Sequence, residues 1–163
     1  MTRVVNPVDA AAVLPEWGAF AAAEPVLATM TRRLLRRGES EEGLLATVRG
    51  DALPRINPVI VGFVGERLVT VALDRSAKLR DLREDGRFAL HAHQDPVVPD
   101  EVVIRGRALE LTGDERAAAI ADWSFEAGDA DGVFELRIAQ VTLGERPDAD
   151  SWPPVYRSWR AAP

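Results

Sequence analysis

Cysteine is absent from all 163 residues. That absence removes disulfides, thiolate nucleophiles, Cys-ligated zinc and iron–sulfur clusters together. Histidine is nearly absent as well. Only His91 and His93 occur, and without carboxylates fixed beside them they offer no metal site, so no metal is expected. A basic excess is also missing. The 20 Lys and Arg against 26 Asp and Glu leave a net charge of −6. This excludes a general nucleic-acid binder, because phosphate contacts need a basic surface, but it leaves room for a local basic pocket that takes one small anion. No run approaches the ~20 apolar residues of a membrane span, and the first residues hold no apolar core of the signal-peptide kind. The expectation is a cytoplasmic protein without a membrane partner.

What is present is ordinary for a globular chain: 47% apolar and 28% charged residues, in a length that suits one domain with its own core. Residues 1–40 read as a helical arm, 43–144 as the main body and 145–163 as a tail. In the arm, Asp9 is a candidate cap for a short helix reaching Leu14, and Trp17 and Phe20 are free to pack on the body. Val26, Leu27, Met30, Leu34 and Leu35 recur at helical spacing, so 25–37 reads as an amphipathic helix opened by Pro25 and stopped by Gly38. Arg32, Arg33, Arg36 and Arg37 crowd its last turns, where cations suit the helix dipole. The acids that follow at Glu39, Glu41 and Glu42 mark a solvated helix end.

The periodicity then changes to that of strands, over 44–48, 55–64 and 67–73, with turns at Gly50-Asp51 and Gly65-Glu66. Pro58 inside the second of these demands an edge, a bulge or a gap in the ladder. A helix over 77–84 follows, with Leu79 and Leu82 as its apolar stripe and Asp74 or Ser76 as cap. Further strands are expected at 88–92, 101–111 and 133–143, with a bend or close backbone approach at Gly106, and a helix at 114–123. Most links have hairpin length. They rule out a doubly wound parallel sheet and favour a small, closed, antiparallel barrel, mainly β with helices.

One segment carries chemistry. Asp74-Arg75-Ser76-Ala77-Lys78 sits where a strand ends and a helix begins. Free N–H groups and the dipole make a helix start receptive to anions. Arg75 and Lys78 add full charges, Ser76 adds a hydroxyl, and Arg55 on the neighbouring strand is a further cation. On local sequence alone the favoured reading is a solvated Arg75 and Lys78 beside a merely capping Ser76, since Ser-x-Lys at a helix start is common. His91 and His93 lie two apart on one strand face and suit structural roles. Trp152, Tyr156 and Trp159 in the tail suit packing, with stacking on a cofactor or covering a partner subunit as the alternative.

The order of these pieces extends the reading. Ala46-Thr47-Val48, Pro54-Arg55-Ile56-Asn57-Pro58-Val59, Ser76-Ala77-Lys78, Leu82, Arg87-Phe88-Ala89-Leu90 and Val102-Val103-Ile104-Arg105-Gly106-Arg107-Ala108 follow one another as in a known pattern. Over roughly residues 25–145 the chain resembles the pyridoxamine 5′-phosphate oxidase-like, flavin-binding split-barrel family. The resemblance implies a six-stranded antiparallel split β-barrel with an N-terminal helical arm, forming a homodimer with two cofactor clefts between the subunits. It implies FMN as cofactor, with the deazaflavin F420 as the alternative, and an oxidoreductase of unknown substrate or a non-catalytic flavin-binding or stress protein. By position, Ser76, Ala77 and Lys78, with Arg55 and Arg75, would hold the flavin phosphate. The backbone of Asn57, Pro58 and Val59 and of Val71 and Ala72 would lie against the ring. No catalytic acid or base is assigned. The chain departs from the pattern at Ala52, at Val71-Ala72 and at Glu101, where an acid would repel a phosphate.

Overall fold

The computed structural model describes residues 11–97, 99–123 and 125–162; the cap expected at Asp9 lies outside them. Two short helices lead in, α1 (Trp17–Ala23) and α2 (Pro25–Leu35). The strands are β1 (Arg36–Arg37), β2 (Ser40–Val48), β3 (Pro54–Val64), β4 (Arg67–Ala72), β5 (Arg87–Ala92), β6 (Glu101–Glu110), β7 (Gly132–Glu145) and β8 (Val155–Arg160). Helix α3 (Ala77–Glu84) joins β4 to β5, and α4 (Gly113–Trp123) joins β6 to β7. Every pairing is antiparallel. The order β2-β3-β4-β7-β6-β5 closes on itself through β2–β5, which gives a six-stranded barrel with β1 and β8 as additions. Closure removes the free edges that a six-stranded open sheet would expose.

Alternation builds the core. Along β2 the inward residues Gly43, Leu45 and Thr47 are buried while their neighbours are half-buried. Leu45, Val61, Leu68, Leu90, Ile104, Leu136, Ile138 and Leu143 are fully buried in the barrel, and each such side chain contributes about 1.5–3 kcal/mol by leaving water. Trp17 and Phe20 of α1, Leu27 and Leu35 of α2, and Leu79 and Leu82 of α3 close the barrel over this core. The first residues of β7 are buried without alternation, because their second face is covered too. There Val64, Val69, Val71, Leu111 and Val133 pack under Ala119, Ile120 and Trp123 of α4.

Gly106 makes the β6–β7 contact possible. The register shifts between Arg105 and Gly106, and a Cβ at 106 would stand 1.8 Å from the Arg137 carbonyl oxygen. The bend expected there is a bulge in which only glycine fits.

Three boundaries differ from the sequence reading. The arm helix stops at Leu35, not at Arg37. Arg36 and Arg37 turn instead into a hairpin around Gly38, whose φ is +61°. Arg36 bonds Glu41 across the hairpin at 3.2 Å and the Gly38 carbonyl at 2.9 Å, contacts that a further helical turn would forfeit. Trp17 and Phe20 sit on a helix of their own, although its cap residue Glu16 makes no side-chain cap bond. The tail is a strand, because β7 outruns β4 and leaves Gln140–Glu145 free to pair with β8. Among the described residues no helix is long and apolar enough to cross a membrane.

Candidate functional site

The barrel is split along β3. β4 pairs only with Val61–Val64 of that strand, so, among the described residues, 54–60 pair with β2 on one edge and with no strand on the other. Pro58 falls in this stretch, and a residue without an N–H is tolerated where the second edge has no partner. Here β3 alternates strictly. Pro54, Ile56, Pro58 and Ile60 face outward and are exposed, while Arg55 and Asn57 are half-buried and Val59 is buried. Of this inward row, Arg55 meets α3.

Asp81 is the joint. It is 5% exposed on α3, and its Oδ2 accepts from Thr47 Oγ1 of β2 at 2.7 Å and from Arg55 Nε of β3 at 2.9 Å. A buried carboxylate is tolerable only with such partners. Three residues back on the same helix, and therefore on a neighbouring position of one face, Lys78 is half-buried. Among the described residues no acidic side chain pairs with it, and burial holds its ammonium below the usual lysine range. Asn57 Nδ2 is buried without a hydrogen-bond partner among the described residues. Buried amides are ordinarily satisfied, so this donor is available to something else.

Ser76 caps α3, its Oγ accepting from Leu79 N at 3.1 Å. The hydroxyl proton remains free to donate. Ala77 is the first residue of the helix and is half-buried. The preceding turn is pinned from outside, with Asp74 N donating to Asp131 Oδ1 at 2.6 Å and Gly128 N to Asp131 Oδ2 at 2.9 Å. These two backbone bonds, with Arg116 nearby, hold the Asp131 carboxyl below its ordinary range.

The other expected site residues fall differently. Arg75 has φ +60°, and its side chain, 93% exposed, reaches only its neighbour Asp74 at 3.4 Å. Val59 and Ala72 pack in the barrel core, and Val71 packs under α4, so these three have only backbone to offer a ligand. A hollow of about 290 Å³ beside this region is lined by Arg49, Arg55, Arg80, Asp51, Asp81 and Glu84. A larger groove, about 980 Å³, lies elsewhere, between the end of α2, the β1–β2 hairpin and the loop after β5, with His93 on its wall.

His91 Nε2 stands 3.9 Å from the Glu101 carboxylate, and Tyr156 donates its hydroxyl to the same carboxylate at 2.5 Å. That bond raises the Tyr156 pKa above its ordinary value. Trp159 packs on Phe20 with ring centres 5.0 Å apart, while Trp152 is 76% exposed beside Arg146. Asp81 and Thr47 are not singled out by the sequence. The one signal was an acid three residues after Lys78 and one before Leu82, inside the buried stripe of a short helix.

No family model matches the chain, and no curated protein matches it in sequence. Solved structures do. A heme-binding protein from Mycobacterium smegmatis superposes with a TM-score of 0.58 at 18% identity, over 98% of this chain and 60% of its own. The chain thus spans 60% of that relative's length, less than two thirds. A pyridoxamine 5′-phosphate oxidase, so described provisionally, from Listeria innocua gives 0.55 at 19% identity, over 72% of this chain and 97% of its own. HutZ, a heme storage protein from Vibrio cholerae, gives 0.58 at 15% identity, over 71% and 92%. At these identities the likeness concerns the backbone, and on that ground the chain has the antiparallel split β-barrel fold.

Proposed function

We propose that the chain binds the phosphate of a flavin cofactor, FMN, at the start of α3, and that it serves as an FMN-dependent oxidoreductase whose substrate the site does not name. One observation carries this reading. Lys78, in the first turn of a capped helix, is a half-buried ammonium without an acidic partner among the described residues, and Asn57, on the strand whose Arg55 bonds that helix through Asp81, carries an unpartnered buried amide. Cation, amide donor and helix N-terminus are together the chemistry of an anion site. Lys78, Ser76 and Arg55 would hold the phosphate, and the amide of Asn57 with the backbone of Pro58, Val59, Val71 and Ala72 would meet the ring system. When bound, the flavin supplies the two-electron chemistry. The chain's own part is to bind, orient and shield it.

A second copy of the chain belongs to this reading. The hollow of about 290 Å³ beside Arg55 is lined by that residue but not by Ser76, Lys78 or Asn57, so it does not by itself enclose a phosphate at the start of α3. A cofactor there needs a further wall. The outward row Ile56, Pro58 and Ile60 next to the unpaired edge, with Ile56 67% and Ile60 44% exposed, suits a homodimer contact that supplies it.

F420 offers a phosphate to the same donors and is the alternative cofactor. A non-catalytic flavin carrier is the alternative role, favoured by the lack of an acid–base pair at α3. The absorbance spectrum of the purified protein, followed by parallel titrations with FMN and F420, tests the reading. Flavin bands with saturable FMN uptake are expected. A Soret band, or a colourless protein indifferent to both cofactors, would overturn it. Bound flavin that no nicotinamide donor reduces would select the carrier role.

A further inference from the structure

We propose that Asp81 is a positioning residue for the anion site, acting through Arg55; the proposal rests on the phosphate reading above. Arg55 engages Asp81 through Nε at 2.9 Å and through no other atom. Its two Nη groups have no hydrogen-bond partner among the described residues, so one edge of the guanidinium is fixed and the other is free. A free arginine chain loses about 2 kcal/mol of rotamer freedom when it is ordered. Tethering it beforehand removes that loss from the binding step. Asp81 is itself locked, because Thr47 of β2 donates to the same oxygen at 2.7 Å and the side chain is 5% exposed on a capped helix. The three residues come from β2, β3 and α3, so the tether also fixes the middle of that helix against the split edge.

The alternative is that Asp81 only neutralises Arg55. The two ideas predict opposite signs. If Asp81 is merely a negative charge near an anion site, Asp81→Asn removes repulsion and tightens FMN. If Asp81 positions Arg55, the same change frees the guanidinium and weakens FMN by about tenfold, the worth of one charge-assisted hydrogen bond. Riboflavin, which has no phosphate, should bind wild type and Asp81→Asn equally. In an Arg55→Gln background the Asp81→Asn effect should vanish, while that of Lys78→Ala persists. Thr47→Val, which changes no charge, should shift FMN binding in the same direction by less.

The tether has a readout that needs no cofactor. The Arg55 Nε–H signal in the nitrogen-15 NMR spectrum of the ligand-free protein should be sharp and slow to exchange in wild type, and averaged in Asp81→Asn. An Arg55 Nε–H equally mobile in both, or an FMN affinity that rises in Asp81→Asn, overturns the proposal. An ordered Arg55 in a wild type that ignores FMN overturns the flavin reading instead and reduces the tether to scaffold.

Discussion

Glu135 is the most constrained ionisable residue outside the candidate site. It is fully buried on β7, with Arg137 Nε at 3.0 Å and Arg67 Nε at 3.6 Å. Burial pushes its carboxyl above the usual range, against the pull of the two guanidinium groups. The folded state therefore holds the Glu135 proton more tightly than the unfolded chain does. This contribution to stability is fully present below the ordinary carboxylate pKa and is lost as pH rises through the raised one. Relative to Glu135→Gln, wild type should gain stability as pH falls from 7 towards 4, and urea midpoints of the two proteins will show it. Arg137 also donates to the Leu14 carbonyl at 3.3 Å. Arg137→Met should lower stability by about 3–5 kcal/mol at neutral pH, as expected when one partner of a buried pair is removed. The deficit should shrink in acid. A deficit independent of pH would show that the lost contact to the arm, not the stranded charge, dominates.

Among the elements, α3 and the β2–β3–β4 meander were legible because local signals agree with the tertiary outcome. The residues Ser76, Leu79 and Leu82 mark a capped amphipathic turn, and glycine marks each hairpin. The bend at Gly106 was legible as well, though not its cause, since the blocking carbonyl belongs to Arg137 on another strand. Gly106→Ala should therefore lower stability by about 3 kcal/mol or more, since the β-carbon meets backbone and not a yielding side chain. A shift in thermal midpoint of a degree or less would contradict the bulge.

β1 and β8 were not legible. The burial of β8 hardly alternates, and it exists only because β7 extends past β4. At the site, Arg55, Asn57, Ser76 and Lys78 could be picked from the chain, and the structure sets Arg55 and Asn57 along the split edge and Ser76 and Lys78 on α3. Arg75 could not be excluded in advance, because its exposure follows from one positive φ. Asp81 was hidden for the opposite reason. An acid on a short helix reads as solvated until a threonine and an arginine from two other strands are seen to enclose it.

On the scale of the whole molecule, residues 54–60 of β3 lack a second strand partner among the described residues, and the exposed apolar row lies along that edge. Leu44 and Ala46 of β2 pair with Pro58 and Ile56, so the outward apolar surface continues across two strands. In the dimer reading this surface is covered by a second copy. Ile56→Lys should then yield a monomer in sedimentation velocity and weaken FMN retention while leaving the thermal midpoint nearly unchanged. A dimer that survives the substitution would place the contact elsewhere.

The phosphate site at α3 is tested most directly by the ratio of FMN to riboflavin affinity, read from quenching of flavin fluorescence. Wild type should prefer FMN by about a hundredfold or more, the worth of two charge-assisted contacts, and the triple substitution Lys78→Ala, Ser76→Ala and Arg55→Gln should bring the ratio close to one. Equal affinities in wild type, or a preference that survives the triple substitution, would contradict it.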